Sequence, residues 1–487
     1  MRPVSTTWPV LRTPPRASRP VTTSPRPRSR TTRGRTGEPR RCASGSPWRG
    51  DLVDRRAFLV GGVAGGAALA LAGCSGTLPK VVAKPASFGK DATGTVQVWC
   101  RSATQAGLTS AVAGFNKANP ALQVQLTPVP DAQYVTKLAT AIRGGEPPDV
   151  VDIDDINSQL FIFREAFADL TDVVTGLDYF DAISPGHLRL LEYRDRYYGL
   201  PYLADNSQLF VNTELFDKAG LDVEDSTKDL DSLLAAAKAI RKTGDDVYGW
   251  SISGNAAGII GFVTQPHVWA TGVDMMSGEV GKQTANITGN EALERMLEFY
   301  RKLWKDGVLS KATYSDAGTT WGADFRAGKV GIFPTSYGAT VPAATKAMRA
   351  KMQTVLIPSW DGKRSFFDGG DNMCIPNGAA NPSGGWAFMQ YANALQQQQA
   401  LPDGGYFPTR SDAATPAYRK RFPLAYGPLD ALEKGYAPQT LAYNLLVNQP
   451  SSPYFAMFRQ AVFGSGSAAA MRTAQSDYQR ILDQVQA

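Results

Sequence analysis

Two adjacent carboxylates, Asp154 and Asp155, come directly after a predicted strand at residues 149–153. Ionised carboxylates accept hydrogen bonds from hydroxyl and other donor groups. A parallel sheet places its ligands at the carboxyl ends of its strands, so the position indicates a polar binding site. The alternative is structural: either carboxylate could cap the helix that is predicted to run through Phe161, because aspartate is a preferred N-cap residue.

The chain lacks the other common catalytic patterns. Its two histidines, His187 and His267, have no metal-ligand spacing around them, and neither a Walker loop nor a G-x-S-x-G elbow is present. We therefore expect both histidines to be ordinary surface or core residues, and we expect no catalytic residue, metal or cofactor. A secreted glycoside hydrolase is the alternative, since two carboxylates at a suitable separation would suffice for that reaction. A binder of anions or metal ions would need an Arg-rich pocket or clustered Tyr and His ligands, which the sequence does not display.

Alternating strands and helices must position these residues. The apolar spacing predicts strands at residues 95–100, 122–126 and 149–153, one helix that ends at Asn119-Pro120, and a second helix at residues 131–143. This order of elements predicts a parallel sheet with covering helices. Two further helices are predicted, at residues 230–240 and after an Asn290 cap.

A charged, then apolar, then small segment precedes these elements. Residues 55–76 read RRAFLVGGVAGGAALALAGCSG. The apolar run is shorter than the roughly 18 residues of a membrane span, and its order is typical of an export signal. Arg55 and Arg56 fit the twin-arginine signature, with the general secretory route as the alternative. Residues 71–74 fit the lipobox, in which Cys74 is lipidated, so residues 51–74 are predicted to be a lipoprotein signal peptide.

Residues 1–50 hold 12 Arg and no Lys, with few aliphatic residues. Such a composition does not fold. We interpret it as a disordered extension or an upstream start codon rather than a nucleic-acid-binding arm. Residues 1–73 contain 14 of the 51 basic and 3 of the 44 acidic residues. The remaining 37 and 41 give residues 74–487 a net charge of −4, against +7 for the whole chain. We therefore expect no nucleic-acid partner.

The 414 residues from Cys74 onward are enough for two domains, and residues 75–92 are predicted to be a linker. Cys100 and Cys374 are the cysteines that follow Cys74. A disulfide between them and two separate buried thiols are both open from the sequence.

Five motifs in order resemble the family 1 extracellular solute-binding proteins, the carbohydrate-binding components of bacterial ABC importers. They are KLATAIRGGEPPDVVDID (137–154), YYGLPYLADNSQLFVNTELFDKAGLD (197–222), DFRAGKVGIF (324–333), FFDGGDNMCIPNGAANPSGGWAFMQYA (366–392) and GGYFPTR (404–410). Each motif is weak alone, and the order and spacing of the five carry the resemblance. The chain departs from the family pattern at residues 223–229, where a Pro-Thr-Trp-type helix start is usual.

The resemblance implies a two-lobed α/β fold of the periplasmic-binding-protein type II, with a ligand cleft between the lobes. Residues 93–202 and 371–425 would form lobe 1, and residues 203–370 and 426–487 would form lobe 2. Hinge strands would cross between the lobes near residues 198–202 and 366–370. The implied partners are a sugar or oligosaccharide and the permease subunits of an ABC importer. The protein would be a monomer, exported and anchored by lipid to the outer face of the cytoplasmic membrane.

A sugar site needs aromatic rings for the apolar faces of the sugar and planar polar groups for its hydroxyls. The positions that the resemblance places near the cleft are of these types. The predicted ligand-binding residues are Asp154, Asp155, Tyr202, Asp205, Asn206, Trp269, Trp321, Asp368, Gly369, Asp371, Asn372 and Tyr406.

Several of these positions also have a structural interpretation. Trp269 could belong to the core, and Trp321 and Tyr406 could serve lobe packing. Two further tryptophans, Trp250 and Trp304, are predicted to be core residues, because they lie in a predicted strand and on the apolar face of a predicted helix.

Replacing Cys74 tests the predicted anchor. Cys74→Ala should release the protein from the membrane fraction or leave it as uncleaved precursor, because the thiol that carries the lipid is gone. Fractionation followed by immunoblotting measures both outcomes. Membrane-bound protein of mature size in the variant would contradict the lipoprotein interpretation.

Overall fold

The computed structural model describes residue 88 and residues 91–486 of the 487-residue chain. Residues 1–50, the predicted signal peptide with Cys74, and most of the predicted linker lie outside these residues. Within the described part of the chain, no helix combines the length and the apolar character that crossing a bilayer requires.

The described residues contain fourteen strands, several of them only two residues long. The strands are β1 (Gly94–Arg101), β2 (Leu122–Val129), β3 (Val150–Asp154), β4 (Glu192–Tyr193), β5 (Arg196–Tyr197), β6 (Leu200–Asn212), β7 (Tyr248–Trp250), β8 (Met276–Ser277), β9 (Thr284–Ala285), β10 (Val330–Ser336), β11 (Met352–Val355), β12 (Ile357–Pro358), β13 (Arg364–Cys374) and β14 (Gly435–Tyr436).

Helices connect and cover these strands. The α-helices are α1 (Gln105–Ala118), α2 (Asp131–Gly144), α3 (Asp155–Phe163), α4 (Thr171–Thr175), α5 (Pro185–Leu191), α6 (Thr213–Lys218), α7 (Val223–Ser226), α8 (Leu230–Arg241), α9 (Ala257–Thr264), α10 (Pro266–Trp269), α11 (Glu291–Lys305), α12 (Ala323–Arg326), α13 (Tyr337–Thr340), α14 (Lys346–Arg349), α15 (Pro382–Ala392), α16 (Leu395–Gln398), α17 (Pro416–Arg421), α18 (Pro453–Phe463) and α19 (Ser467–Gln486). Short 3-10 helices lie at Phe180–Ala182, Lys311–Tyr314, Leu401–Gly404, Ser411–Ala413 and Pro428–Lys434, and a π-helical turn lies at Asn444–Asn448.

The first three strands form the parallel sheet that the alternating pattern predicts. β1 lies between β2 and β3 and pairs in parallel with both. α1 buries Leu108, Val112 and Phe115, the face that the spacing predicts. α2 ends before Gly145, whose φ of +78° suits a residue without a side chain. The predicted β-α-β-α-β unit is therefore confirmed.

Two long antiparallel strands, β6 and β13, join the halves of a ten-stranded sheet. The sheet has the order β2-β1-β3-β13-β6-β10-β7, with β11 beside β6 and with β12 and β14 beside β13. β13 pairs with β3 at one end, where Asp371 faces Asp154, and with β6 along its middle. β6 also pairs with β10 in antiparallel orientation, and in that pairing Ser207 faces Ser336. These strands are the two crossings that the resemblance implies.

β6 also passes from one hydrophobic core to another. Leu200 and Leu203 belong to a cluster around the parallel strands, whereas Leu209 and Val211 belong to a larger cluster around α8, α11, α18 and α19. The strand reads as a nearly continuous buried run because both of its faces are covered. The boundaries of the lobes stay a prediction. Phe407, for example, lies within residues 371–425 of the predicted lobe 1 but packs with a third hydrophobic cluster around β10, a strand of the predicted lobe 2.

Local features of the second half agree with the predicted patterns, with one difference. The Asn290 side chain accepts a hydrogen bond from Leu293 N at 3.0 Å and caps α11 as predicted. Trp250 is fully buried. Trp304 is only half-buried, at the margin of the core, where its ring contacts Phe463 at 5.0 Å between centroids. Around residues 223–229, where the chain departs from the family pattern, Asp222 caps α7 and Asp229 caps α8.

Cys100 and Cys374 are both buried free thiols. Burial, with the charge of nearby carboxylates, raises the pKa of Cys100 to about 12. Both residues therefore act as small core side chains, one of the two alternatives that the sequence left open.

Candidate functional site

Arg101, the last residue of β1, lies at the centre of a charged network. Its Nε donates to Asp371 Oδ2 at 2.7 Å, and its Nη2 donates to the other oxygen of the same carboxylate. Nη1 lies 3.2 Å from Asp154 Oδ2 and 3.4 Å from Asp131 Oδ1. The Asp371 side chain is fully buried, and Arg101 keeps about a fifth of its side chain exposed. The guanidinium thus links β1 to β13 and α2 through charge-assisted hydrogen bonds and to β3 through an ion pair.

The register of the sheet explains this meeting. β1 and β3 are parallel, so their carboxyl ends share one edge of the sheet, and β13 brings Asp371 opposite Asp154 there. Asp154 also accepts a hydrogen bond from Ile156 N at 3.3 Å and caps α3. The structural interpretation of Asp154 as a helix cap is therefore confirmed, and its role in ligand binding stays a prediction. Burial raises its pKa to about 6, although the Arg101 charge opposes the shift.

Asp205 and Tyr406 lie beside this network. Asp205 is half-buried on β6, and burial raises its pKa to about 6, although a hydrogen bond with Ser336 and the charge of Arg101 lower it. Tyr406 is half-buried and donates from its hydroxyl to Ala103 O at 3.0 Å. Burial and the Asp205 carboxylate raise the pKa of Tyr406. The structure therefore brings Asp154, Asp205, Asp371 and Tyr406 of the predicted site together.

Two further carboxylates are buried next to the network. Asp152 accepts a hydrogen bond from the Thr104 hydroxyl, and burial and the Asp371 charge raise its pKa well above the ordinary value. Asp155 is 1% exposed, and its Oδ2 has no hydrogen-bond partner. Burial, followed by the charges of Asp154 and Asp371, raises its pKa in the same direction. Carboxylates thus outnumber cations around Arg101.

Unpaired amide atoms accompany the two crossing strands. Asn206 Oδ1 and Asn372 Oδ1 are buried without a partner, and so are both polar atoms of Gln208. The Nδ2 group of Asn372 donates to Ser158 Oγ at 3.2 Å. A buried polar group without a partner costs about 1–3 kcal/mol. Such a concentration of unpaired atoms is typical of a site that a polar ligand or ordered water completes.

A row of five aromatic rings runs beside the crossing strands. Successive centroids lie 6.5 Å apart from Trp321 to Phe262, 5.2 Å from Phe262 to Phe367, 5.6 Å from Phe367 to Trp269 and 5.0 Å from Trp269 to Tyr436. Trp321 and Phe262 are half-buried, whereas Trp269 is only 6% exposed. The structure thus unites the two predicted tryptophans in one row, in which Trp269 also has the core packing that was the alternative.

Tyr202, Asp368 and Gly369 are three further predicted residues, and all of them are buried. Tyr202 is buried within the cluster of the parallel strands. Asp368 accepts a hydrogen bond from Ser184 Oγ at 2.9 Å and lies 3.1 Å from His187 Nδ1, and Gly369 O lies 3.1 Å from His187 Nε2. This Ser-His-Asp set differs from a hydrolase triad, because the serine and the carboxylate share one ring nitrogen and all three side chains are buried.

Sequence reasoning missed Arg101 and Phe262. Arg101 had a usable signal, since it directly follows the first predicted strand just as Asp154 follows the third. Phe262 had none, because an apolar residue within an apolar stretch is most simply explained as core. In the part of the chain that the structure describes, no group of three or more His, Cys, Asp or Glu side chains could hold a metal ion.

Two α/β halves joined by a pair of long antiparallel strands, with polar side chains gathered where they meet, define a hinged binding protein. A family model described as bacterial extracellular solute-binding protein matches residues 110–423, well over half of the chain. The chain therefore belongs to the bacterial extracellular solute-binding protein family.

Individual relatives agree with this assignment. A putative binding protein of Brucella abortus is 22% identical over 280 residues, which cover 57% of this chain and 66% of that protein. The multiple sugar-binding protein of Streptococcus mutans is 28% identical over 153 residues, which cover 31% of this chain and 35% of that protein. The chain thus spans less than two thirds of the length of each.

The solved structures show the fold. The sugar-binding protein MalE of Xanthomonas citri superposes with a TM-score of 0.71 at 20% identity, covering 80% of this chain and 98% of that one. The predicted two-lobed α/β fold of type II is confirmed.

Removing the central cation tests whether the network supports the fold. Arg101→Met should lower the free energy of unfolding by about 3–5 kcal/mol, because the buried carboxylate of Asp371 and the neighbouring Asp154 lose their counter-charge. Urea unfolding at neutral pH measures the loss.

An exposed ion pair provides the matched control. Arg196 pairs with Asp169 and keeps 59% of its side chain exposed, so Arg196→Met should cost less than about 1 kcal/mol. Equal effects of the two substitutions would show that the Arg101 network adds no more than a surface pair.

Proposed function

We propose that this protein captures a sugar or oligosaccharide between its two lobes and delivers it to the permease of an ABC importer. The observation that carries the proposal is the convergence of Arg101, Asp154, Asp205 and Tyr406 where the crossing strands join the two halves of the sheet. Two relatives whose names describe them as sugar-binding add support.

The residue types suit a sugar. Ionised Asp154 and Asp205 accept hydrogen bonds from hydroxyls, and so can the unpaired Oδ1 atom of Asn206. The half-buried rings of Trp321 and Tyr406 offer apolar surface to the C–H faces of a sugar ring. The remaining predicted ligand-binding residues stay part of the proposal, but the buried side chains of Tyr202 and Asp368 would support the site from behind rather than meet the sugar.

The charge of the site favours neutral or cationic sugars over acidic ones. Asp154 and Asp205 already have raised pKa values, because burial and neighbouring carboxylates disfavour their charged forms. A uronic acid would add another carboxylate to this region. It would therefore bind less well than the neutral sugar of the same stereochemistry.

The two lobes supply the motion. Ligand contacts from both sides favour the closed state, and the crossing strands β6 and β13 act as the hinge. Export to the outer face of the cytoplasmic membrane, the lipid on Cys74 and a monomeric state complete the proposal. They rest on the signal-peptide motifs and on the family's extracellular character.

A secreted glycoside hydrolase is the second candidate that the sequence allows, and the comparisons favour the binding protein. Oligosaccharides incubated with the pure protein should be recovered intact, while calorimetry shows saturable binding of at least one of them. Cleavage products that disappear when one carboxylate is replaced would contradict the proposal.

Asp205 provides the sharpest test of the site. A thermal-shift screen of residues 74–487 against a panel of sugars identifies the ligand, because binding to the native state alone raises stability. Asp205→Ala should then weaken binding by roughly 10- to 100-fold, since a hydrogen bond to a charged acceptor contributes about 1.5–3 kcal/mol.

The affinity of the unsubstituted protein for the sugar should decrease as the pH is lowered below about 6, because Asp154 and Asp205 take up protons.

Asp246→Ala is the control, because Asp246 is exposed and forms a surface ion pair with Lys329. It should leave the dissociation constant unchanged in calorimetry. If Asp205→Ala instead unfolds the protein while the remaining folded fraction binds normally, Asp205 has a structural role at the hinge.

The preference for neutral over acidic sugars is tested by comparing a uronic acid with the neutral sugar of the same stereochemistry. Tighter binding of the uronic acid would refute that preference.

A further inference from the structure

His187, on α5, lies fully buried between the helix and the crossing strand β13. Its Nδ1 lies 3.1 Å from Asp368 Oδ2 and 3.0 Å from Ser184 Oγ, and its Nε2 lies 3.1 Å from Gly369 O. Asp368 and Ser184 are fully buried as well. The imidazole therefore bridges α5 to two consecutive residues of the return crossing.

Counting donors assigns the charge of this ring. Gly369 O can only accept, so Nε2 must carry a proton. The Ser184 hydroxyl uses its hydrogen toward Asp368 Oδ2 at 2.9 Å, so both oxygens that face Nδ1 act as acceptors. A neutral imidazole has a single N–H and can satisfy only one side. With the Ser184 hydroxyl donating to Asp368, only the imidazolium has an N–H on both sides, and it also gives the buried Asp368 carboxylate a counter-charge.

We propose that His187 is a positioning residue: its imidazolium holds the return crossing at Asp368 and Gly369, and loss of its proton loosens the hinge. The pKa shift agrees in direction. Burial lowers the pKa of His187, but the Asp368 charge and the hydrogen bonds to Asp368 and Gly369 outweigh burial and raise the pKa above 6.5.

Glycines make room for the carboxylate partner. A Cβ on Gly186 would lie 2.2 Å from Asp368 Oδ2, and a Cβ on Gly435 would lie 2.7 Å from the same carboxyl group. Real Cβ atoms do not approach so closely. Gly186 directly follows the first residue of α5, and Gly435 begins β14, so two separate elements leave space for this ion pair.

The strand that His187 holds also carries groups of the candidate site. Phe367 precedes Asp368 and contacts both Phe262 and Trp269 of the aromatic row. Asp371, three residues further along β13, pairs with Arg101. A shift of the strand at Asp368 would therefore move both the aromatic and the charged parts of the site.

The charged groups on the surrounding elements leave Asp368 as the partner. On α5 itself, Arg189 donates to Ala437 O and stacks over the Tyr436 ring. Among the described residues, no other titratable side chain lies within hydrogen-bond or ion-pair distance of the ring. The other charged side chains on the elements around α5 form no hydrogen bond or ion pair with the ring. They are Asp155 on α3, Asp205 on β6, Asp371 on β13, Arg410 after Thr409, and Asp430, Glu433 and Lys434 on the 3-10 helix Pro428–Lys434.

The sign of the pH effect follows from the raised pKa. The ion pair contributes its full stability below the unfolded value of about 6.5, and that contribution is lost as pH rises through the higher folded value. The hinge should thus be firmest below about pH 6.5 and become looser as the pH rises through the folded pKa of His187.

The protein has only two histidines, so the proton on His187 can be observed directly. In a pH titration followed by NMR of the imidazole carbons and nitrogens, His187 should remain an imidazolium to a pH above 6.5. His267 should stay neutral down to about pH 4, because burial lowers its pKa. His267→Gln assigns the two sets of signals. A neutral His187 at about pH 6 would overturn the proposal.

Hydrogen exchange measures the effect on the strand. In His187→Gln, peptides covering residues 366–372 should exchange about tenfold faster than in the unsubstituted protein at about pH 6, and the difference should disappear at a pH above the His187 pKa that the NMR titration gives. Equal exchange at both pH values, or an equal difference at both, would refute a role for the charge. Peptides that cover α19, the last helix of the chain, should exchange at the same rate in both proteins.

A fallback keeps the test decisive if His187→Gln does not fold. The free energy of unfolding of the unsubstituted protein, measured in urea, should then decrease as the pH rises from about 6.5 into the alkaline range. Asp368→Asn should remove that decrease and lower the pKa of His187. A flat profile in the unsubstituted protein would contradict the proposal.

Discussion

The pairing of Arg101 with Asp371 is the interaction on which the candidate site depends. It joins the end of the first parallel strand to the strand that returns across the molecule, and Asp371 is fully buried. A buried carboxylate without a counter-charge is strongly destabilising. The close pairing of Arg101 with Asp371, Asp154 and Asp131 therefore fixes where the carboxyl ends of β1 and β3 meet the crossing strand. Asp205 and Tyr406 lie beside that point.

β13 is held by charge at two places. Arg101 holds Asp371, and His187 holds Asp368 from the other side through α5. Between them lie Gly369 and Gly370, and a Cβ on Gly370 would lie 2.0 Å from Leu203 O on the neighbouring strand. These two pairs hold the middle of β13 on either side of Gly369 and Gly370. Small rotations there would change the relation of the two cores that β6 and β13 connect.

Much of this arrangement follows from the sequence. The spacing of apolar residues predicts β1 to β3 with α1 and α2, and the position after a strand predicts Asp154. The ordered motifs predict the crossings. What sequence reasoning missed depends on contacts between distant residues. Arg101 and Asp371 are 270 positions apart, and His187 becomes meaningful only beside Asp368. Trp304 shows the limit of periodicity, because a helix position on the apolar face can still lie at the edge of a core.

Small-angle X-ray scattering of residues 74–487, alone and with the sugar that stabilises the protein most, tests the hinged-binding account most directly. Closure of two lobes over a ligand brings their centres together, so the radius of gyration should decrease on saturation and return when the sugar is removed by dialysis. An unchanged scattering curve at saturating sugar would contradict a hinge that closes over its ligand.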